Sequence, residues 1–286
     1  MSVESGRLGL VNGESTVRQW NISRQGNPVS GIASNTRSGT VRRPGVNDWS
    51  GSFNNYGGVP LKLPGDTFTF DGYTAPDSGT GGTAGDVWSG NAIVDSIAMT
   101  WNWASGEMLS YVTNFSGNGE LTVGTDTHSD STDPAIFIPC GTKIDYGASA
   151  SETEWDNLVQ AVLTITAANV AFANSSTVAS GSCWTQRKAG PIDWTLAVTE
   201  QNNAGLPSAI DIEESERFRL WVDSSDYWEL EWGIVGDFSG LDVNRESGAI
   251  IQRTVNISMD GHDGSSLGKI VLPGASTPWW PDDFPG

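Results

Sequence analysis

Apolar and polar residues alternate along this chain in short runs, and turn-forming residues separate the runs. The clearest is Thr67-Phe68-Thr69-Phe70, bounded by Pro64-Gly65-Asp66 and Asp71-Gly72. A period of two puts Phe68 and Phe70 on one face, so both are expected in a core. Similar patterning predicts strands over 17–23, 50–56, 92–103 and 107–115, the last two forming a hairpin that turns at Ser105-Gly106. Further on it predicts strands over 157–166, 216–222, 227–235 and 249–258. Residues 26–39 read as a loop, and the Gly/Thr/Ser-rich stretch 76–85 as a protruding one, because neither holds enough apolar surface to pack. Residues 1–14 read as an arm that becomes ordered only against another surface. A capping box at Ser151-Glu152-Thr153-Glu154 predicts one short helix in an otherwise all-β chain.

The chain also resembles itself. Thr40-Val41-Arg42-Arg43-Pro44-Gly45-Val46-Asn47-Asp48-Trp49 returns without a gap as Thr185-Gln186-Arg187-Lys188-Ala189-Gly190-Pro191-Ile192-Asp193-Trp194, 145 residues later. Two weaker matches follow the same order: residues 105–116 with 247–258 at a spacing of 142, and Trp20-Asn21-Ile22-Ser23 with Leu163-Thr164-Ile165-Thr166 at 143. Collinear matches at nearly constant spacing are the signature of a tandem duplication. The expected division is a first β domain over 1–145, with the N-terminal arm and linker, and a second over 146–286 with a Trp/Pro-rich tail.

A chain of 286 residues is long enough for two cores of ordinary size. No run of about 18 apolar residues occurs, and the first residues lack the basic and apolar regions of a secretory signal. Folding in a cytoplasm is therefore expected. Two cysteines, Cys140 and Cys183, are too few for a disulfide framework. The net charge is −19, with 8 basic and 14 acidic residues in 1–145 against 7 and 20 in 146–286. Such a balance argues against wrapping nucleic acid, since phosphate affinity comes mainly from Lys and Arg. It suits a surface that DNA passes without sticking, and an acidic channel would let DNA slide.

Candidate chemistry is sparse. His128 and His262 lie in no hydrolase motif, and the acidic loops 126–133 and 260–264 read as Asx-rich turns before they read as Ca²⁺ sites. Glu229 and Glu231 would share a strand face between Trp228 and Trp232, the carboxylate pairing that glycoside hydrolysis needs, yet solvent-facing alternation gives the same pattern. No catalytic residue, metal or cofactor is expected. Of the 13 tryptophans, Trp49, Trp194, Trp221 and Trp232 fall within apolar alternation and are expected in the core, and others at buried interfaces. Trp279 and Trp280, on a proline-rich tail, are expected to seek a surface to cover. The two basic pairs, Arg42-Arg43 and Arg187-Lys188, stand out in a chain with few cations. With Asp48, Trp49, Asp193 and Trp194 they form the candidate inter-subunit interface, each basic pair meeting an acidic edge of a neighbouring copy and fixing register.

An N-terminal arm, an Asn/Ser/Gly loop, a basic turn into Asp-Trp, the Pro64-Gly65-Asp66-Thr67-Phe68-Thr69-Phe70 strand and a Gly/Thr-rich loop follow one another, and the pattern covers most of both halves. This order resembles the tail tube proteins of long-tailed bacteriophages. The resemblance implies β-sandwich domains whose sheets join around a ring into an inner β-barrel, six domains to a ring, with arms and loops stacking ring on ring. For a duplicated chain it implies homotrimeric rings of pseudo-sixfold symmetry, other tail proteins at the tube ends, DNA in transit, no membrane, a place in the virion and no enzymatic activity. The C-terminal Trp-Trp tail and the uneven charge do not follow from it. The rival readings are a carbohydrate- or receptor-binding module of a tail tip, a capsid decoration protein, and a glycoside hydrolase.

Overall fold

The computed structural model describes residues 17–31, 41–43, 45–57, 60, 62–73, 85–126, 141–147, 152–172, 183–201, 215–239, 252–259 and 270–273. The chain is all-β, and the described residues contain no helix. Residues 76–84 of the loop expected over 76–85, most of the loop over 26–39, the arm, both histidine loops from 127 and 260, Cys140 and the Trp279-Trp280 tail lie outside these residues, while Gly85 already belongs to a strand.

In the first half the strands are β1 (Val17–Gly26), β2 (Val29–Gly31), β3 (Val41–Arg43), β4 (Val46–Tyr56), β5 (Thr67–Tyr73), β6 (Gly85–Asn102) and β7 (Ser110–Asp126). The second half adds β8 (Ile144–Tyr146), β9 (Thr153–Glu154), β10 (Leu158–Ala167), β11 (Val170–Phe172), β12 (Cys183–Trp184) and β13 (Gln186–Lys188). It continues with β14 (Ile192–Gln201), β15 (Ser215–Trp221), β16 (Tyr227–Ser239), β17 (Gln252–Met259) and β18 (Ile270–Val271). The hairpin read from Ser105-Gly106 is the β6–β7 pair, with Gly106 at a φ of 63° in its turn. Residue 145, where the sequence places the division, lies within β8, which pairs with β15.

The first set pairs in the order β1-β4-β7-β6 with β5 on β6, and the second in the order β10-β14-β17-β16-β15. The two orders are the same. So are the registers: Ser50 opposes Ser116 across β4 and β7, and Thr195 opposes Ser258 across β14 and β17, the spacings being the 145 and 142 already seen. Irregularities recur too. β1 shifts register between Val17 and Gln19 and β10 between Leu158 and Gln160, while β6 shifts between Val94 and Ser96 and β16 between Val235 and Asp237. Each shift returns after 141 residues, so Trp20 corresponds to Ala161, and the match of Trp20 to Leu163 is out by two. A shift of two preserves the apolar alternation, which is why the sequence does not reveal it.

β10 pairs antiparallel with the far half of β6, from Gln160–Asn102 to Thr166–Ser96, and this joint fuses both sets into one 14-stranded sheet. β6 can serve two partners on one edge because β5 takes residues 87–93 and β10 takes residues 96–102. The bulge at Asp95 falls between them, where an extra residue bends the strand.

The core follows the alternation. Phe68 and Phe70 are buried as expected, and Phe70 stacks 4.9 Å from Phe115, which also meets Trp49 and Phe53. In the second half Trp155, Trp194, Phe218 and Trp228 are fully buried. Each such side chain contributes roughly 1.5–3 kcal/mol. The fit is close around Trp49, where a Cβ on Gly117 would come within 2.1 Å of the indole nitrogen. Gly117→Ala is therefore expected to cost about 1–3 kcal/mol by overpacking, measured by urea denaturation.

Two expectations need correction. Thr153 and Glu154 are not helical but form β9 against Tyr146 and Asp145. The capping box fails because Glu154, its N3 carboxylate, is held in the strand and pairs with Lys143 at 3.5 Å, and Trp155 is drawn into the core; Glu152 beside it binds Arg217 and Arg219 at 2.7 and 2.5 Å. Trp232 is not a core residue. The register of β15 on β16 slips between Glu216 and Phe218, leaving Glu231 and Trp232 outside the ladder, with Trp232 at a φ of 59° and 43% exposed. Trp221 is half-buried, its indole donating to Asp145 at 2.7 Å.

Candidate assembly interface

The second half reaches back onto the first through the basic turn. β12 adds in parallel to β4, with Cys183 beside Val46 and Trp184 beside Asn47. The Thr185 amide donates to the Asn47 carbonyl at 3.0 Å, and the Gly119 amide donates to the Thr185 carbonyl at 2.9 Å. β13 then pairs with β11, placing Arg187 opposite Ala171. Closure of this hairpin requires Gly190, since a Cβ there would lie 1.7 Å from the Ala168 carbonyl oxygen.

Arg187 is the centre of the contact. Its two terminal nitrogens bind both carboxylate oxygens of Asp48, at 2.9 and 2.6 Å, and one also donates to the Gly117 carbonyl. Its backbone amide donates to Asn118 Oδ1 at 2.8 Å. The side chain is only 11% exposed. A two-pronged guanidinium–carboxylate pair fixes orientation as well as attraction, which a lysine would not do. Beside it Trp184 is buried with the Arg24 guanidinium over its ring at 4.9 Å.

The sequence-predicted residues therefore separate. Arg187 and Asp48 do meet, but inside one chain, so their expected place between subunits is corrected: the linked halves already occupy that joint. Trp49 and Trp194, 2% and 1% exposed, have both rings in the core and offer no interface surface. Lys188 is exposed. Arg42 and Asp193, which correspond to Arg187 and Asp48, are both exposed. Arg43 contributes its backbone to β3, and its side chain lies outside the described set, as do Trp279 and Trp280.

Two sheet edges stand open in the same corresponding positions. Among the described residues, nothing pairs with the outer edge of β1, which matches the edge of β10 that holds β6. Among the described residues nothing pairs either with the edge of β16 over 235–239 that in β6 is held by β10. An open edge presents unmet amide and carbonyl groups and is a template for another strand.

The sheet face turned away from the core is a feature that single-strand reading missed. Strand register lines up Asn21, Ser52, Asn114, Ser96 and Thr166 in one row, and Asn54, Val112, Ala98, Thr164, Thr195 and Ser258 in the next. Hydrogen bonds tie neighbours along it, Asn21 to Ser52 at 2.6 Å, Asn114 to Ser96 at 2.9 Å and Thr199 with Thr254 at 3.0 Å. Asp193 continues the first row beyond Thr166, Asp48 lies farther along β4 opposite Gln25, and Asp95 accepts the Ser116 hydroxyl at 2.5 Å. Small polar groups, most of them uncharged, therefore make up these rows. Alternation of Ser, Thr and Asn was visible within each strand, but the rows appear only once the register is known.

Glu229 is 8% exposed and held by Arg217 and Arg219, which also bind Glu152. It is a structural ion pair and does not face a cleft with Glu231, which sits in the bulge. Neither a protein-family model nor a curated protein matches the sequence.

Proposed function

We propose that this chain is a structural subunit that assembles head to tail with its own kind into rings, and that stacked rings form the tail tube of a long-tailed bacteriophage, a channel for DNA. The single observation that carries the reading is the β6–β10 joint. One half already accepts the other edge to edge, and the matching edges, β1 at one end of the sheet and the stretch of β16 past its pairing with β15, are left open among the described residues. A duplicated module that joins its twin in this way has everything needed to join a third. Repetition of one heterologous contact closes into a ring when the rotation allows and otherwise gives a filament.

The two rows of small residues support the passage of DNA. They hold no Lys or Arg to neutralise phosphates and no aromatic ring on which bases or sugars would stack, which suits transit and disfavours the carbohydrate-binding alternative, while Tyr56, with the Arg18 guanidinium 4.3 Å over its ring, stands at the margin of the same face. Six modules to a ring, hence three chains, and a place in the virion are carried by the resemblance alone. Negative-stain microscopy of the purified protein is the test. Threefold rings or tubes with a central channel are expected, and dispersed compact monomers at high concentration would overturn the reading.

A further inference from the structure

We infer that Arg42 of one molecule binds Asp193 of the next, a clasp between chains that repeats the Arg187–Asp48 clasp within the chain. The inference rests on the head-to-tail reading above and adds to it the residues that lock the joint.

The two basic hairpins correspond. The β2–β3 hairpin sets Arg42 opposite Ser30, and β11–β13 sets Arg187 opposite Ala171, at spacings of 145 and 141 that match those of the surrounding strands. The receiving sites correspond as closely. Asp48 Oδ1 accepts the amide of its own neighbour Trp49 at 2.9 Å, and Asp193 Oδ1 accepts that of Trp194 at 2.8 Å, so both carboxylates are held in the same pose at the start of equivalent strands. The Gly117 carbonyl that completes the Arg187 site has its counterpart in Met259, at the end of β17.

Occupancy differs. Asp48 is engaged by Arg187, whereas Asp193 has no cation, and Arg42 no carboxylate, among the described residues. The reason lies in connectivity. The second basic hairpin reaches onto the module that precedes its own, and among the described residues no module precedes the first. A second copy of the chain offers the matching site. The same docking that lays β1 on β16 carries the hairpin of the incoming first module to β14, just as laying β10 on β6 carries β13 to β4. One geometric operation satisfies both contacts, so the partner is a second copy of this chain.

Charge reversal tests it. In the full-length protein, Arg42→Glu and Asp193→Arg are each expected to weaken association at least ~30-fold, read by analytical ultracentrifugation, because each sets like charges together where a desolvated pair should form. The double variant Arg42→Glu with Asp193→Arg is expected to restore association, and circular dichroism should show all three variants folded. Mixing the two single variants should also restore pairs of molecules, since the carboxylate introduced at position 42 of one then faces the guanidinium introduced at position 193 of the other. Assembly that proceeds unchanged in both single variants, or a double variant no better than either, overturns the clasp and leaves the assembly reading standing. A wild-type chain that stays monomeric overturns both.

Discussion

Replacing Glu200 by glutamine is expected to destabilise the protein by about 3–5 kcal/mol, a large part of what holds a domain folded. Glu200 and Arg253 oppose each other across β14 and β17 with side chains 4% and 8% exposed, and the carboxylate also accepts the Trp155 indole N–H. Glutamine keeps the shape but leaves the buried guanidinium without its counter-charge. The corresponding residues of the first half are Asn55 and Tyr111, opposed in the same way and joined by a neutral hydrogen bond of 2.9 Å. One buried site has thus been filled by an ion pair in one module and by an amide and a phenol in the other. The double variant Glu200→Asn with Arg253→Tyr is accordingly expected to recover most of the loss. Asn55 Oδ1 is buried without a donor in the first half, and in the second half the Trp155 indole stands ready to supply one. Urea denaturation of the three proteins checks this. A loss under about 1 kcal/mol for Glu200→Gln would show that the pair is not sealed from water as described.

Much of the fold was legible because burial imposes a period of two. Thr67 to Phe70, the turn at Ser105-Gly106 and the Asp-Trp openings all announced themselves, and the repeat was visible wherever turn chemistry had been kept. Other features escaped for physical reasons. Asn55 and Glu200, or Tyr111 and Arg253, share no chemistry, so their equivalence emerges only from register. The capping box at Ser151 fits helix chemistry, but its Glu154 is taken into a strand against Asp145 and pairs with Lys143. Trp232 looked apolar and buried until a slipped register turned it out. Among the candidate interface residues, type and spacing located the basic pairs, while only the fold could tell which pair is already satisfied.

The largest effect on assembly is expected from the sheet edges themselves. Within the chain Thr164 opposes Ala98. Carrying both positions back and forward by 141 residues gives Ser23 in β1 and Ser239 in β16, which the account places opposite each other across two molecules. Facing residues on paired strands hold their Cβ atoms about 4.5–5.5 Å apart, near enough for a disulfide or a short bis-maleimide bridge. With Cys140 and Cys183 changed to serine, Ser23→Cys combined with Ser239→Cys should cross-link into dimers and trimers on a denaturing, non-reducing gel, while each single cysteine variant should not. A product series that stops at a closed trimer is the result predicted. Assembled protein in which these two cysteines never join, under conditions that bridge a control pair at 98 and 164, would contradict it.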